Sequence, residues 1–142
     1  MKKKLVLLMS MLLSFGQFCS CSSDNDEEVH LDLYGSWSII GYGNDLEFHT
    51  GDNIVNTSKL TFNPDGTFNG VIFPNDVFGK YECDGNNFSF TEIFSTKLGA
   101  VDPELKYIDY QLRIVKKYRI LSGSELRLYY EEDNYIKFNK ER

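Results

Sequence analysis

Asp102-Pro103-Glu104-Leu105-Lys106-Tyr107-Ile108-Asp109-Tyr110-Gln111-Leu112-Arg113-Ile114-Val115 decides the fold, because here the period of the apolar residues changes. Leu105, Ile108, Leu112 and Val115 recur at spacings of three and four, which is one face of a helix. Asp102 can accept from the first unbonded amides, and Pro103, with no amide hydrogen, suits the first helical position. The stretch predicts one main helix at about 102–115. Arg113, Lys116 and Lys117 gather at its end, where positive charge suits the helix dipole, so they read as a solvated helix end.

On both sides of this stretch the apolar residues alternate. Gly35 to Tyr42 reads as a first strand with Trp37, Ile39 and Gly41 on one face. Asp45 to Asn56 is polar and reads as a loop, with at most a short strand at Leu46-Glu47-Phe48. Lys59–Phe62 and the run starting at Thr67 flank Asn63-Pro64-Asp65-Gly66, where Pro presets the turn and Gly accepts a left-handed backbone. Val77–Cys83 and Asn87–Thr91 pair across Asp84-Gly85-Asn86. After the helix come Tyr118–Leu121, Leu126–Tyr130 and Tyr135–Phe138, the last two joined by Glu131-Glu132-Asp133-Asn134. The order predicts an α+β, mostly β fold: an antiparallel sheet or partly open barrel of about seven to eight strands with one main helix.

The N-terminus predicts export. Lys2, Lys3 and Lys4 precede an apolar run from Leu5 to Phe18, and Ser20-Cys21 follows. A basic start, a short apolar core and a small residue before a cysteine describe a secretory signal of the lipoprotein kind. The run falls short of the roughly 20 residues that a membrane span needs. Residues 1–20 are therefore read as signal peptide, Cys21 as the lipid site, 21–30 as an acidic tether and 31–142 as the domain. Cys19 is the competing site, but it would put bulky Phe18 where a small side chain is wanted. The pattern resembles a bacterial lipobox, with Phe18 where Leu is usual. Ser22 to Glu28 resembles the surface-export signal of Bacteroidetes lipoproteins, which implies outer-membrane anchoring with surface exposure. Removing residues 1–20 takes away three Lys and no acid, leaving 12 basic and 21 acidic residues, a net of −9. That sign opposes phosphate binding, so nucleic acid is not expected as a partner. With Cys21 acylated, the mature chain holds no cysteine pair for an intrachain disulfide.

From Gly35 to Phe138 the chain resembles the META domain, the family of HslJ-like proteins. The residues that carry the resemblance are Gly35-Ser36-Trp37, Leu60-Thr61-Phe62 with Asp65-Gly66-Thr67 and Gly70, then Asn75, Gly79, Tyr81, Gly85 and Thr96. Glu104, Tyr107 and Leu112 match the helix, and Tyr118 with Leu126-Arg127-Leu128 the closing strands. Pro74 and Ala100 stand where many members have cysteines, so no thiol role transfers. The resemblance implies a secreted or membrane-anchored accessory domain, often tied to envelope stress, with no shared catalytic residue. Gly35-x-Trp37 also resembles a lipocalin-like barrel, whose helix usually lies later in the chain.

Candidate chemistry is sparse. Asp24, Asp26, Glu27 and Glu28 lack the tight glycine turn of a calcium loop. Glu131, Glu132 and Asp133 read as a hairpin tip. His30 and His49 have no neighbouring Cys or His, so no metal site is expected. Cys83 shares a face with Val77, Gly79 and Tyr81 and reads as a small core residue. Glu92 and Glu104 are the pair to test for glycosidase geometry, which is set by their separation. Asn56-Thr57-Ser58 is a glycosylation sequon by pattern alone. The expectation is an anchored module without catalytic residue or cofactor, bound to the membrane through Cys21 and to an unknown protein or envelope partner. Its contacts are expected in the loop from Gly43 to Ser58, whose shortening should leave thermal stability nearly unchanged but weaken binding. The alternatives are a lipocalin-like carrier of a small apolar ligand and an enzyme; a filled core with no pocket above roughly 300 Å³ would argue against both.

Overall fold

The computed structural model describes residues 32–55 and 57–142. The signal peptide, both candidate lipid sites Cys19 and Cys21, the tether, His30 and Asn56 lie outside the described residues. Among the described residues nine strands and one helix follow in order: β1 Gly35–Gly43, β2 Phe48–His49, β3 Lys59–Phe62, β4 Thr67–Ile72, β5 Asn75–Asp84, β6 Asn87–Ser95, α1 Pro103–Leu112, β7 Lys117–Leu121, β8 Glu125–Tyr129 and β9 Tyr135–Lys140. All pairings are antiparallel. β1 pairs with both β3 and β9, so the sheet returns on itself as a ring, and β2 pairs with Tyr42 and Gly43 at the end of β1.

The ring is unevenly sealed. β1 and β9 pair from Trp37↔Lys140 to Gly43↔Tyr135. β6 and β7 share one register pair, Asn87↔Lys117, with the Phe88 amide donating to the Lys116 carbonyl and the Tyr118 amide to the Asn86 carbonyl, each at 3.0 Å. Beyond that point the two strands part. The chain between them forms α1, and Arg113 at its end donates to the Ile93 carbonyl of β6 at 3.4 Å.

The helix starts as the sequence predicts: the Asp102 carboxylate accepts from the Glu104 amide, and Pro103 takes the first turn. Regular helix ends at Leu112, three residues before Val115. There the amides of Arg113, Ile114 and Val115 bond three residues back, which tightens the last turn. The apolar stripe still faces inward, since Leu105, Ile108, Leu112 and Val115 are all buried.

The interior is filled mainly by aromatic rings. Phe62 packs edge-on against Tyr81 and Phe88, with centroids 5.2 and 5.7 Å apart, and Phe90 sits 4.7 Å from Phe68. Edge-to-face contacts at such distances stabilise beyond their buried area. Trp37 is fully buried, donates to the Leu33 carbonyl at 2.8 Å and lies under the Lys140 ammonium. At the Asn63–Gly66 turn, Asp65 accepts from the Thr67 amide, Gly66 takes φ +81°, and the Tyr81 hydroxyl donates to the Asn63 carbonyl at 2.6 Å. Burial raises the Tyr81 pKa above the usual phenol range.

Four expectations are corrected. Gly41 does not share the inward face of Trp37 and Ile39: a bulge at Ile40 shifts the β1–β9 register, and the Phe48–His49 strand lies over Gly41. A Cβ on Gly41 would meet the His49 carbonyl at 2.2 Å, so glycine there permits the close approach. The strand in the following loop is Phe48–His49 rather than Leu46–Phe48, and β6 runs to Ser95 rather than Thr91. The loop from Gly43 to Ser58 is not separable from the core, because Ile54 has 0% exposure and Ser58 is buried, its hydroxyl accepting from the Phe73 amide.

Candidate functional site

A groove of about 590 Å³ lies outside the ring, on the outer face of β7, β8 and β9. β-strand alternation builds it. Leu126, Leu128, Ile136 and Phe138 point inward and are fully buried, so Glu125, Arg127, Tyr129 and Lys137 point outward. Asn44, Asp45 and Leu46 form one rim, Lys117 and Arg119 of β7 another, and Glu132 and Asp133 close one end.

The Asn44–Leu46 turn is held in place. The Asn44 side-chain carbonyl accepts from the amides of Leu46 and Glu47, and its amide group donates to Asn134 at 3.0 Å. The Asp45 carboxylate then reaches across to β8 and β9. It accepts from the Tyr135 hydroxyl at 2.9 Å and from Arg127 at 3.0 Å. Arg127 lies over the Tyr135 ring, 4.3 Å from its centroid, and also donates to Glu125 at 2.7 Å. Lys137 completes the set at 3.2 Å from Glu125.

The electrostatics follow from these contacts. The Tyr135 hydrogen bond, with Arg127 beside it, holds the Asp45 carboxyl below the usual range. Burial and then the Asp45 bond push the Tyr135 phenol up to about 12. Burial alone would raise Glu125, but Arg127 and Lys137 outweigh it and keep the carboxyl low. Burial disfavours the Arg127 charge, yet its bonds to Glu125 and Tyr129 reverse the sign. The floor is therefore a preorganised charged network rather than an apolar pocket.

The residues singled out from sequence are spread over the fold. Glu92 pairs with Lys80 at 3.5 Å on the outer face, whereas Glu104 lies in the first turn of α1 beside Gly51. No bond joins them among the described residues. His49 stacks on Tyr42 at 5.1 Å, and no metal-ligating group of three occurs among the described residues. Cys83 is half-buried and packs against the core, as its alternation predicts. It borders an opening of about 460 Å³ with Glu82, Asp84, Phe88 and Val115. Glu131–Asp133 form the tip between β8 and β9. Asn75 and Thr96 are structural ties: Asn75 accepts from the Leu98 amide at 2.7 Å and Thr96 from the Asp76 amide at 2.9 Å. Pro74 lies against Gly99, next to Ala100.

The Gly43–Ser58 loop does supply a rim of the groove, through its first residues only. The sequence alone does not single out Arg127, Tyr135 and Glu125 as site residues. Their signal was Glu125-Leu126-Arg127 facing Tyr135-Ile136-Lys137, charged outward positions on paired strands. The groove exceeds the roughly 300 Å³ of an ordinary ligand site, but it stands outside the ring.

Residues 32–142 match the family model of the META domain. No curated protein matches this chain. Among solved structures, a DUF4847 family protein from Bacteroides vulgatus is similar with a TM-score of 0.59 at 20% identity, over 79% of this chain and 97% of that one. A protein from Burkholderia xenovorans is similar with a TM-score of 0.62 at 13% identity, over 80% of this chain and 86% of that one. At these identities the likeness is one of fold.

Proposed function

This chain belongs to the META domain family, and from that premise we propose that it is a lipid-anchored, non-catalytic envelope module that meets a protein partner at the outer groove of β7–β9. One observation carries the reading: the groove of about 590 Å³ lies on the outer face of the ring and has a polar rim, while Trp37, Phe62, Phe88 and Phe138 fill the interior. A carrier of an apolar molecule would need interior volume that these rings occupy. The lipid anchor is supported by Lys2–Lys4, the apolar run and Ser20-Cys21. Placement at the outer membrane, exposed at the surface, is supported by the acidic stretch after Cys21.

The anchor is tested by acyl labelling. Cys21→Ser should abolish the label and Cys19→Ser should leave it; the reverse result moves the lipid site to Cys19. The contact is tested by crosslinking the lipidated chain in its own membrane. Leu46→Glu, at a fully exposed rim position, should lose the captured partner without loss of folding. Retention of the partner by this variant would remove the groove as the contact. Turnover of a glycan, ester or peptide by the purified chain, stopped by changing Cys83 or one carboxylate, would replace the module with an enzyme.

A further inference from the structure

Four charged side chains around the groove lack a counter-charge among the described residues. Lys117 and Arg119 stand two residues apart on β7 and so face the same side. Glu132 and Asp133 stand at the turn between β8 and β9. None of the four side chains makes a hydrogen bond or ion pair among the described residues. Arg119 lies directly opposite Arg127 in the ladder, a like-charge pair that is unfavourable across strands. The Arg127 charge is met by Asp45 and Glu125; that of Arg119 is not. The β7 rim and the Glu132–Asp133 end thus carry opposite signs and line one open volume. Tyr129 lies between them in register, opposite Lys117 on one side and Tyr135 on the other.

Resting on the reading of this groove as the contact site, we propose that it takes an extended peptide segment bearing a carboxylate and, a residue or two away, an ammonium or guanidinium group. The carboxylate seats on Lys117 and Arg119, the cation on Glu132 and Asp133, and the backbone crosses the Tyr129 ring. A purely acidic ligand would meet Glu132 and Asp133 unshielded, and a purely basic one would meet the β7 wall. The two patches therefore select for a segment that carries one charge of each sign. A volume of about 590 Å³ falls in the range of sites for small ligands and short segments.

The test is an amide-shift titration of the full chain with three end-blocked tripeptides: Asp-Gly-Lys, Asp-Gly-Asp and Lys-Gly-Lys. Asp-Gly-Lys should move the amides of both walls and bind about fivefold or more tighter than the other two, each of which forfeits one exposed charge contact. The double variants Lys117→Ala/Arg119→Ala and Glu132→Ala/Asp133→Ala should each weaken it by about fivefold, and salt at about 0.5 M should weaken it further. Equal binding of all three peptides, shifts away from the groove, or wild-type affinity in both double variants would overturn the proposal. A partner lost on Leu46→Glu but kept by both double variants would overturn this charge reading alone and leave the module reading standing.

Discussion

Ile54 sits in a polar loop, between Asp52-Asn53 and Val55-Asn56, yet it has 0% exposure. Its backbone is fixed by a tight turn in which the amides of Ile54 and Val55 both donate to the Gly51 carbonyl at 2.9 Å. Thr57 adds a bond to the Asn53 carbonyl at 2.7 Å. Ile54→Ala removes buried methyl and methylene groups and leaves a cavity that this turn cannot close. The expected cost is about 3 kcal/mol, within the range for large-to-small core changes. For a domain of this size that lowers the melting temperature by roughly 10–20 °C. Leu46→Ala in the same loop, at 100% exposure, should stay within about 0.5 kcal/mol of wild type. Urea unfolding of both variants beside wild type reads the difference directly. Equal midpoints for the two variants would refute the argument, because they would mean that Ile54 contributes no more packing than a solvent-facing side chain.

Leu112→Asp buries an unpaired carboxylate under the last turn of α1 and should destabilise by several kcal/mol at neutral pH, measured by circular dichroism melts. Gln111 is 6% exposed, and its Oε1 has no hydrogen-bond partner among the described residues. Gln111→Met should therefore be neutral or stabilising in the same assay, since it removes an unsatisfied buried acceptor. Tyr135→Phe should raise the Asp45 pKa toward the ordinary carboxylate value, followed by carbonyl shifts across an acid titration. In the wild-type chain the Tyr135 pKa is raised from 10.0 to about 12 by folding. Its contribution to stability is thus complete below about pH 10 and lost as pH rises through about 12, which denaturant midpoints across that window should follow.

The helix and the hairpins were legible because their signals are local. The three-and-four spacing of Leu105, Ile108, Leu112 and Val115, the Asp102-Pro103 start and the Pro64–Gly66 turn each act within a few residues. What stayed hidden depends on distant pairing. The Ile40 bulge exists only against β9, and without it alternation assigns Gly41 to the wrong face. Two-residue β2 has no period to detect. The groove joins the Asn44–Leu46 turn to strands more than 70 residues further on, so no motif spacing could announce it. Ile54 had a faint signal: with Val55 it forms an apolar pair in an otherwise polar run, which usually means that the chain dips inward.

The pairing of β1 with β9 sets a timetable for the growing chain. Strand β1 is made early, but the partner for its Trp37-to-Gly43 edge is complete only when Lys140 has been made. Until then a nascent chain holds a nine-residue strand with one row of backbone groups unpaired, open to any other extended segment nearby. Closing so long a loop is also slow compared with forming the local hairpins. Whatever holds the chain unfolded until synthesis ends favours the native ring, and a chain truncated before Tyr135 is left with a permanent edge.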